Sequence, residues 1–114
     1  PLAQAEEGKV SDVSPKQFKK LMEEKEEYQL IDVRTPQEYK GGRIEGSTLM
    51  NIYDTDFQNR LVELDTDKPV MFYCGSGKRS MKAAEKAVEL GFTEVYNLRG
   101  GIGAWHQSGL DVER

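Results

Sequence analysis

Apolar positions along this chain switch repeatedly between short continuous runs and a spacing near 3.6, the mark of strands alternating with helices. Val10 to Val13 reads as a short strand. Ser14-Pro15-x-Gln17 then has the form of a helix start, with Ser14 as N-cap, Pro15 in the first turn and Gln17 closing a capping box. Phe18, Leu21 and Met22 share one face of that helix, and Glu23-Glu24-Lys25-Glu26-Glu27 is its solvated end. Tyr28 to Val33 is the next strand. Thr35-Pro36-x-Glu38 repeats the start signal for a short helix ending near Gly41-Gly42. Leu49 to Ile52 predicts a brief strand, Phe57 to Leu64 a short helix, and Asp65 to Lys68 a polar turn. Pro69-Val70-Met71-Phe72-Tyr73 is the most continuous apolar run, so it is placed as a central strand covered on both faces.

The strongest helical pattern runs from about Arg79 to Leu90. Lys82, Glu85, Lys86 and Glu89 occupy one arc, Met81, Ala84, Ala87 and Val88 lie opposite, and Ala83 and Leu90 fall at the edge. Gly91 supplies the stop. Glu94 to Leu98 is a further strand, followed by Gly100-Gly101 and a terminal helical turn around Trp105. Strands alternating with helices predict an α/β fold, a central parallel sheet of about five strands with helices on both faces. There is no internal repeat, low-complexity tract or linker. Residues 1–9 are expected to form a loose N-terminal segment and residues 10–114 one domain.

Composition narrows the chemistry. Twenty acidic against sixteen basic residues leave a net charge of -4, which argues against a broad nucleic-acid or anionic-membrane surface. No apolar run approaches the ~20 residues of a membrane span, so no membrane insertion is expected. The single cysteine, Cys74, excludes an internal disulfide framework, and with only one histidine, His106, a His/Cys metal centre has too few ligands. Ala3-Gln4-Ala5 has the small-x-small form that ends a secretory signal peptide, leaving two compartments open: cytoplasmic, or exported if that tripeptide marks a removed signal.

In such a sheet, ligands bind beyond the carboxyl ends of the strands. Tyr73-Cys74-Gly75-Ser76-Gly77-Lys78-Arg79-Ser80 stands there, between the central strand and the strongest helix. Its composition is that of an anion cradle. Gly75 and Gly77 permit positive φ and a tight curl that directs N–H groups inward. The helix start adds about half a positive charge, and Lys78 and Arg79 add full ones. Basic residues in a helix's first turn oppose its dipole, which favours the reading that they serve the site. Cys74 is the residue such a field affects most, because helix N-termini and basic neighbours drive a thiol toward the nucleophilic thiolate. A lone cysteine can equally be a small buried apolar residue; the loop around it tips the balance to function. Cysteine phosphatases need one more residue between cysteine and arginine than the Cys74–Arg79 spacing, to surround a phosphoryl group. A shorter loop suits a smaller group, such as a single transferred sulfur atom.

Four segments, covering nearly all of residues 10–112, resemble the single-domain rhodaneses, which are sulfurtransferases. Leu30-Ile31-Asp32-Val33-Arg34 with Glu38-Tyr39 is similar to that family's first signature, and Gly42-Arg43-Ile44-Glu45-Gly46-Ser47 to its Gly-His-Ile-Pro-Gly-Ala segment. The Cys74–Arg79 loop resembles the six-residue active-site loop, and Leu98-x-Gly100-Gly101-Ile102-x-x-Trp105 with Gly109 the closing motif. Arg43, Glu45 and Ser47 depart from the family's His, Pro and Ala in a segment read as structural. Gly75 stands where many active members carry Arg to grip thiosulfate, which puts thiosulfate preference in question.

The resemblance implies a rhodanese-like fold and a two-step reaction of the thiosulfate:cyanide sulfurtransferase class, with no metal or organic cofactor required. Cys74 takes a sulfane sulfur from a small anionic donor, thiosulfate or a persulfide, and passes it from a Cys74 persulfide to cyanide or an external thiol, such as that of a small thiol protein. Gly75, Ser76, Gly77, Lys78, Arg79 and Ser80 are the expected substrate-binding loop. Asp32 and Arg34 are supporting candidates: facing the same side as Cys74 they would contact substrate, but the favoured role is fixing the neighbouring turn, with Arg34 paired to Glu38. Trp105 is expected as a packing anchor and His106 as an exposed helix residue. Two other readings stand beside this one, a non-catalytic rhodanese-like interaction module and a cysteine phosphatase or arsenate reductase.

Overall fold

A computed structural model of the chain describes residues 8–114. The Ala3-Gln4-Ala5 tripeptide and most of the segment expected to be loose lie outside the described residues; Gly8 and Lys9 form an exposed turn. Five strands, β1 (Val10–Val13), β2 (Gln29–Asp32), β3 (Thr48–Leu49), β4 (Val70–Tyr73) and β5 (Val95–Leu98), alternate with five helices. The helices are α1 (Pro15–Glu24), α2 (Pro36–Gly41), α3 (Phe57–Leu61), α4 (Lys78–Glu89) and α5 (Gly101–Gln107). All strand pairs are parallel and the sheet order is β1-β5-β4-β2-β3, which puts β4 at the centre, as its apolar run required. Among the described residues no helix is long and apolar enough to cross a membrane.

Two cores lie on opposite faces of the sheet. Val70 and Phe72 of β4 pack with Ile31, Val95, Phe57, Leu61 and the α4 alanines. Met71 and Tyr73, alternate residues on the same strand, pack with Leu30, Tyr96, Phe18, Leu21 and Trp105. Trp105 is buried, meets Phe18 edge-on at 6.2 Å and donates from its ring N–H to the Asp111 carbonyl at 2.8 Å. His106 is exposed on α5.

Both helix-start signals close reciprocal capping boxes, Ser14 with Gln17 on α1 and Thr35 with Glu38 on α2. Three expectations shift. β3 covers only Thr48–Leu49, although Met50 and Ile52 beyond it still donate to the Asp32 and Val33 carbonyls at the end of β2. α3 stops at Leu61, where the chain closes into tight turns with Glu63 donating to Arg60 and Leu64 to Leu61. The buried stripe of α4 is Ser80, Ala83, Ala84 and Ala87, rotated from the expected face. Met81 and Val88 sit only partly buried at its margin. Small residues let α4 lie close to β4 and β5, so the tightest contact falls on the alanines rather than on the largest apolar side chains.

Candidate active site

Because the sheet is parallel, the turns after β2, β4 and β5 gather along one edge. The turn after β4 holds Cys74, which has no exposed surface. Three donors converge on its Sγ: the Gly77 N–H at 3.1 Å, the Ser80 hydroxyl at 3.3 Å and the Ser80 N–H at 3.4 Å. Burial pushes the thiol up, but the Ser80 hydroxyl and the N–H groups of Ser80, Gly77 and Ser76 outweigh it, so the group lies below an ordinary cysteine. The sulfur thus sits in a small apolar core while its lone pairs face a cluster of donors.

Only one of the two glycines of this turn supplies the expected positive φ. Gly77, at φ +98°, is the N-cap of α4, and a Cβ there would stand 3.2 Å from the Gly100 N and the Leu98 carbonyl. Gly75 has no positive φ. Its lack of a side chain instead makes room for the Arg79 guanidinium, whose Nη2 would lie 3.3 Å from a Cβ at that position.

The neighbouring junction, β5 to α5, holds the loop from outside, and sequence reasoning did not foresee this. Ile102 donates its N–H to the Cys74 carbonyl at 2.9 Å and Gly103 donates to the Gly75 carbonyl at 3.2 Å. The Asn97 amide donates to the Gly77 carbonyl at 3.3 Å and to Asp12 at 3.0 Å. With these carbonyls tied outward, the loop's N–H groups are left to face the sulfur. The approach is so close that a Cβ on Gly101, at φ +63°, would fall 2.4 Å from the Gly75 carbonyl group. The signal was present as Gly100-Gly101 opening a helix, but spacing alone does not say which two turns touch.

The charged residues are distributed differently from expectation. Arg34 pairs with Asp32, not Glu38, through contacts of 2.7 to 3.1 Å, and also donates to the Gly42 carbonyl at 2.7 Å. Asp32 is in register with Tyr73 and so faces the sheet side opposite Cys74. It is fully buried, which leaves it holding Arg34 and the Gly42 turn rather than reaching toward the sulfur. Glu38, freed from Arg34, takes Arg79 in a two-pronged pair at 2.8 and 2.9 Å. The Arg79 contact, reinforced by the Thr35 N–H, holds the Glu38 carboxyl down to about 2 against a partial burial that opposes it. Lys78 is exposed and makes no ion pair among the described residues.

The departures at Arg43 and Ser47 are structural. Arg43 lies over the Tyr39 ring at 4.8 Å and pairs with Glu113 at 3.2 Å, and the Ser47 hydroxyl accepts from Tyr73 at 3.0 Å. Among the described residues, no cluster of His, Cys, Asp and Glu is placed to hold a metal ion.

Residues 14–108 match the family described as the Rhodanese-like domain. The chain belongs to that family. Its relatives include proteins named for sulfur transfer: a sulfurtransferase of Allochromatium vinosum is 32% identical over 103 residues, covering 90% of this chain and 94% of that protein. The thiosulfate sulfurtransferase GlpE of Shewanella oneidensis is 32% identical over 87 residues, covering 76% and 84%. The YqhL protein of Bacillus subtilis is 47% identical over 77 residues, but the match spans 68% of this chain and only 60% of that protein. A solved rhodanese-related protein of Thermoplasma volcanium superposes with a TM-score of 0.78 at 27% identity, covering 90% of this chain and 97% of that one. The polysulfide-sulfur transferase homodimer of Wolinella succinogenes gives a TM-score of 0.77 at 32% identity, covering 91% and 78%. The rhodanese-like chain is thus related at family level to sulfurtransferases, and its five-stranded parallel sheet is a rhodanese-like fold.

Proposed function

We propose that this rhodanese-like protein is a sulfurtransferase that carries a sulfane sulfur as a persulfide on Cys74. The observation that carries the reading is the convergence of the Gly77 N–H and the Ser80 N–H and hydroxyl on one buried sulfur. A core cysteine has no need of three donors; a thiolate and a persulfide anion do.

The Cys74 thiolate attacks the terminal sulfur of a donor, for instance thiosulfate. A Cys74–sulfur bond forms, the donor's sulfur–sulfur bond breaks, and sulfite leaves with the bonding pair. The persulfide keeps the negative charge, which the loop's N–H groups and Lys78 stabilise. An incoming thiolate or cyanide then takes the outer sulfur and returns Cys74 to thiolate. Cys74 has no exposed surface, so attack requires the loop to admit the donor's terminal sulfur. The sequence contains no second cysteine to attack the persulfide internally, so the acceptor is external, a small thiol, a thiol protein or cyanide. Support comes from the relatives named sulfurtransferase and thiosulfate sulfurtransferase.

The burial of Cys74 also favours one other reading, an interaction module in which the cysteine is inert core. Donor incubation followed by intact-mass measurement separates the two. The sulfurtransferase gains one sulfur atom on Cys74 and yields thiocyanate when cyanide is added; the module does neither with thiosulfate or with an alkyl persulfide.

A further inference from the structure

The two capping boxes of this chain form an internal comparison. Ser14-Pro15-Lys16-Gln17 and Thr35-Pro36-Gln37-Glu38 start α1 and α2 in the same way, with reciprocal bonds between the cap and the third helical residue. Gln17 does this without a charge, so the box itself does not require a carboxylate. Glu38 uses its carboxylate elsewhere: both of its oxygens accept from Arg79 at the mouth of the Cys74 loop, at 2.8 and 2.9 Å. The pair is packed against the loop backbone, since a Cβ on Gly75 would meet Arg79 Nη2 at 3.3 Å and Glu38 Oε2 at 3.8 Å. Of the two basic residues of the loop, Arg79 is therefore compensated and turned to a carboxylate, and Lys78 alone carries an unpaired full charge among the described residues.

We infer that Glu38 is a specificity-determining positioning residue that, by occupying Arg79, tunes the site toward a singly charged persulfide donor and away from doubly charged thiosulfate. The inference rests on the Cys74 sulfurtransferase reading and deepens it by naming the donor class. The physical basis is charge matching. A carboxylate at the rim repels a dianion about twice as strongly as a monoanion, and it withholds the guanidinium fork that would grip a sulfonate oxygen pair. Lys78 and the N-terminus of α4 remain, enough for one negative charge.

Glu38→Gln removes the charge while keeping a residue that closes a capping box, as Gln17 does on α1. The experiment measures kcat/KM for thiosulfate and for an alkyl persulfide carrying no other charge, on wild type and Glu38→Gln, at low and high salt. Thermal melts verify that the variant is folded. The expected result is that the thiosulfate-to-persulfide ratio rises roughly tenfold in Glu38→Gln and that the gain shrinks with added salt. A pair that only supports the fold would lower both rates together; an unchanged or falling ratio overturns the inference while leaving Cys74 chemistry intact. If the wild type takes sulfur from neither donor, the sulfurtransferase reading itself fails and the inference falls with it.

Discussion

Two strand–turn–helix junctions lie side by side in the sheet and are built alike, yet they do different things. β4–α4 and β5–α5 each enter their helix through a left-handed glycine, Gly77 at φ +98° and Gly100 at φ +77°, with no side-chain cap. In the first, the free N–H groups turn inward onto the Cys74 sulfur. In the second, Ile102 and Gly103 direct theirs onto the carbonyls of Cys74 and Gly75. One junction holds the buried Cys74 sulfur and the other holds the first junction. Helix-start donors serve whatever they are aimed at: those of α4 point at the sulfur and those of α5 at the carbonyls of the loop that carries it.

The two junctions press together most closely at Gly101. Gly101→Ala places a methyl where the Gly75 carbonyl group now is, at a positive φ as well. We expect a loss of about 2–4 kcal/mol in chemical denaturation. Persulfide formation by the folded fraction should fall on the order of 100-fold, because the loop is displaced. A variant with wild-type activity would show that the second junction does not shape the first.

Ser80→Ala tests the inward donors themselves. It removes the hydroxyl that does most to lower the Cys74 thiol while leaving the backbone donors in place. The rate of persulfide formation at neutral pH should drop about tenfold. Its rising pH limb should move upward, because the thiol, no longer drawn down, needs a higher pH to ionise. Lys78→Gln is milder. It leaves every hydrogen bond to sulfur in place, so the KM for thiosulfate should rise about threefold and lose much of its salt dependence, with kcat little changed.

The smallest effect concerns the Glu38–Arg79 pair and stability. Glu38 is held down to about 2, so its contribution is fully present above the unfolded carboxyl value of about 4.3 and disappears as pH falls toward 2. The pair is partly open to solvent, which screens it, so the gap in melting temperature between wild type and Glu38→Gln should correspond to under about 1 kcal/mol at neutral pH and close near pH 2.

Much of the first junction was legible in the residues. The apolar run ending at Tyr73, the cysteine after it and the glycine-basic turn identify a strand, a candidate nucleophile and a helix start by local rules alone. The capping boxes at Ser14 and Thr35 were legible for the same reason, since each is a bond between residues three apart. The second junction's role was not legible, because it depends on β5 lying next to β4, a contact between distant segments. Charge pairing failed for a related reason. Arg34 and Glu38 are near in sequence, but Arg34 turns into the core toward Asp32, and Glu38 is left facing a helix that begins some forty residues later.

We propose that the donors on Sγ make Cys74 a sulfur carrier. Intact-mass spectrometry after incubation with thiosulfate or an alkyl persulfide tests it most directly, on wild type and Cys74→Ser. We expect a gain of one sulfur atom on wild type, localised to the Cys74 peptide and released by cyanide as thiocyanate. Cys74→Ser should fold yet show no gain and a turnover lower by at least about 1,000-fold. A wild type that stays unmodified with both donors, or a Cys74→Ser variant that still transfers sulfur, would contradict it.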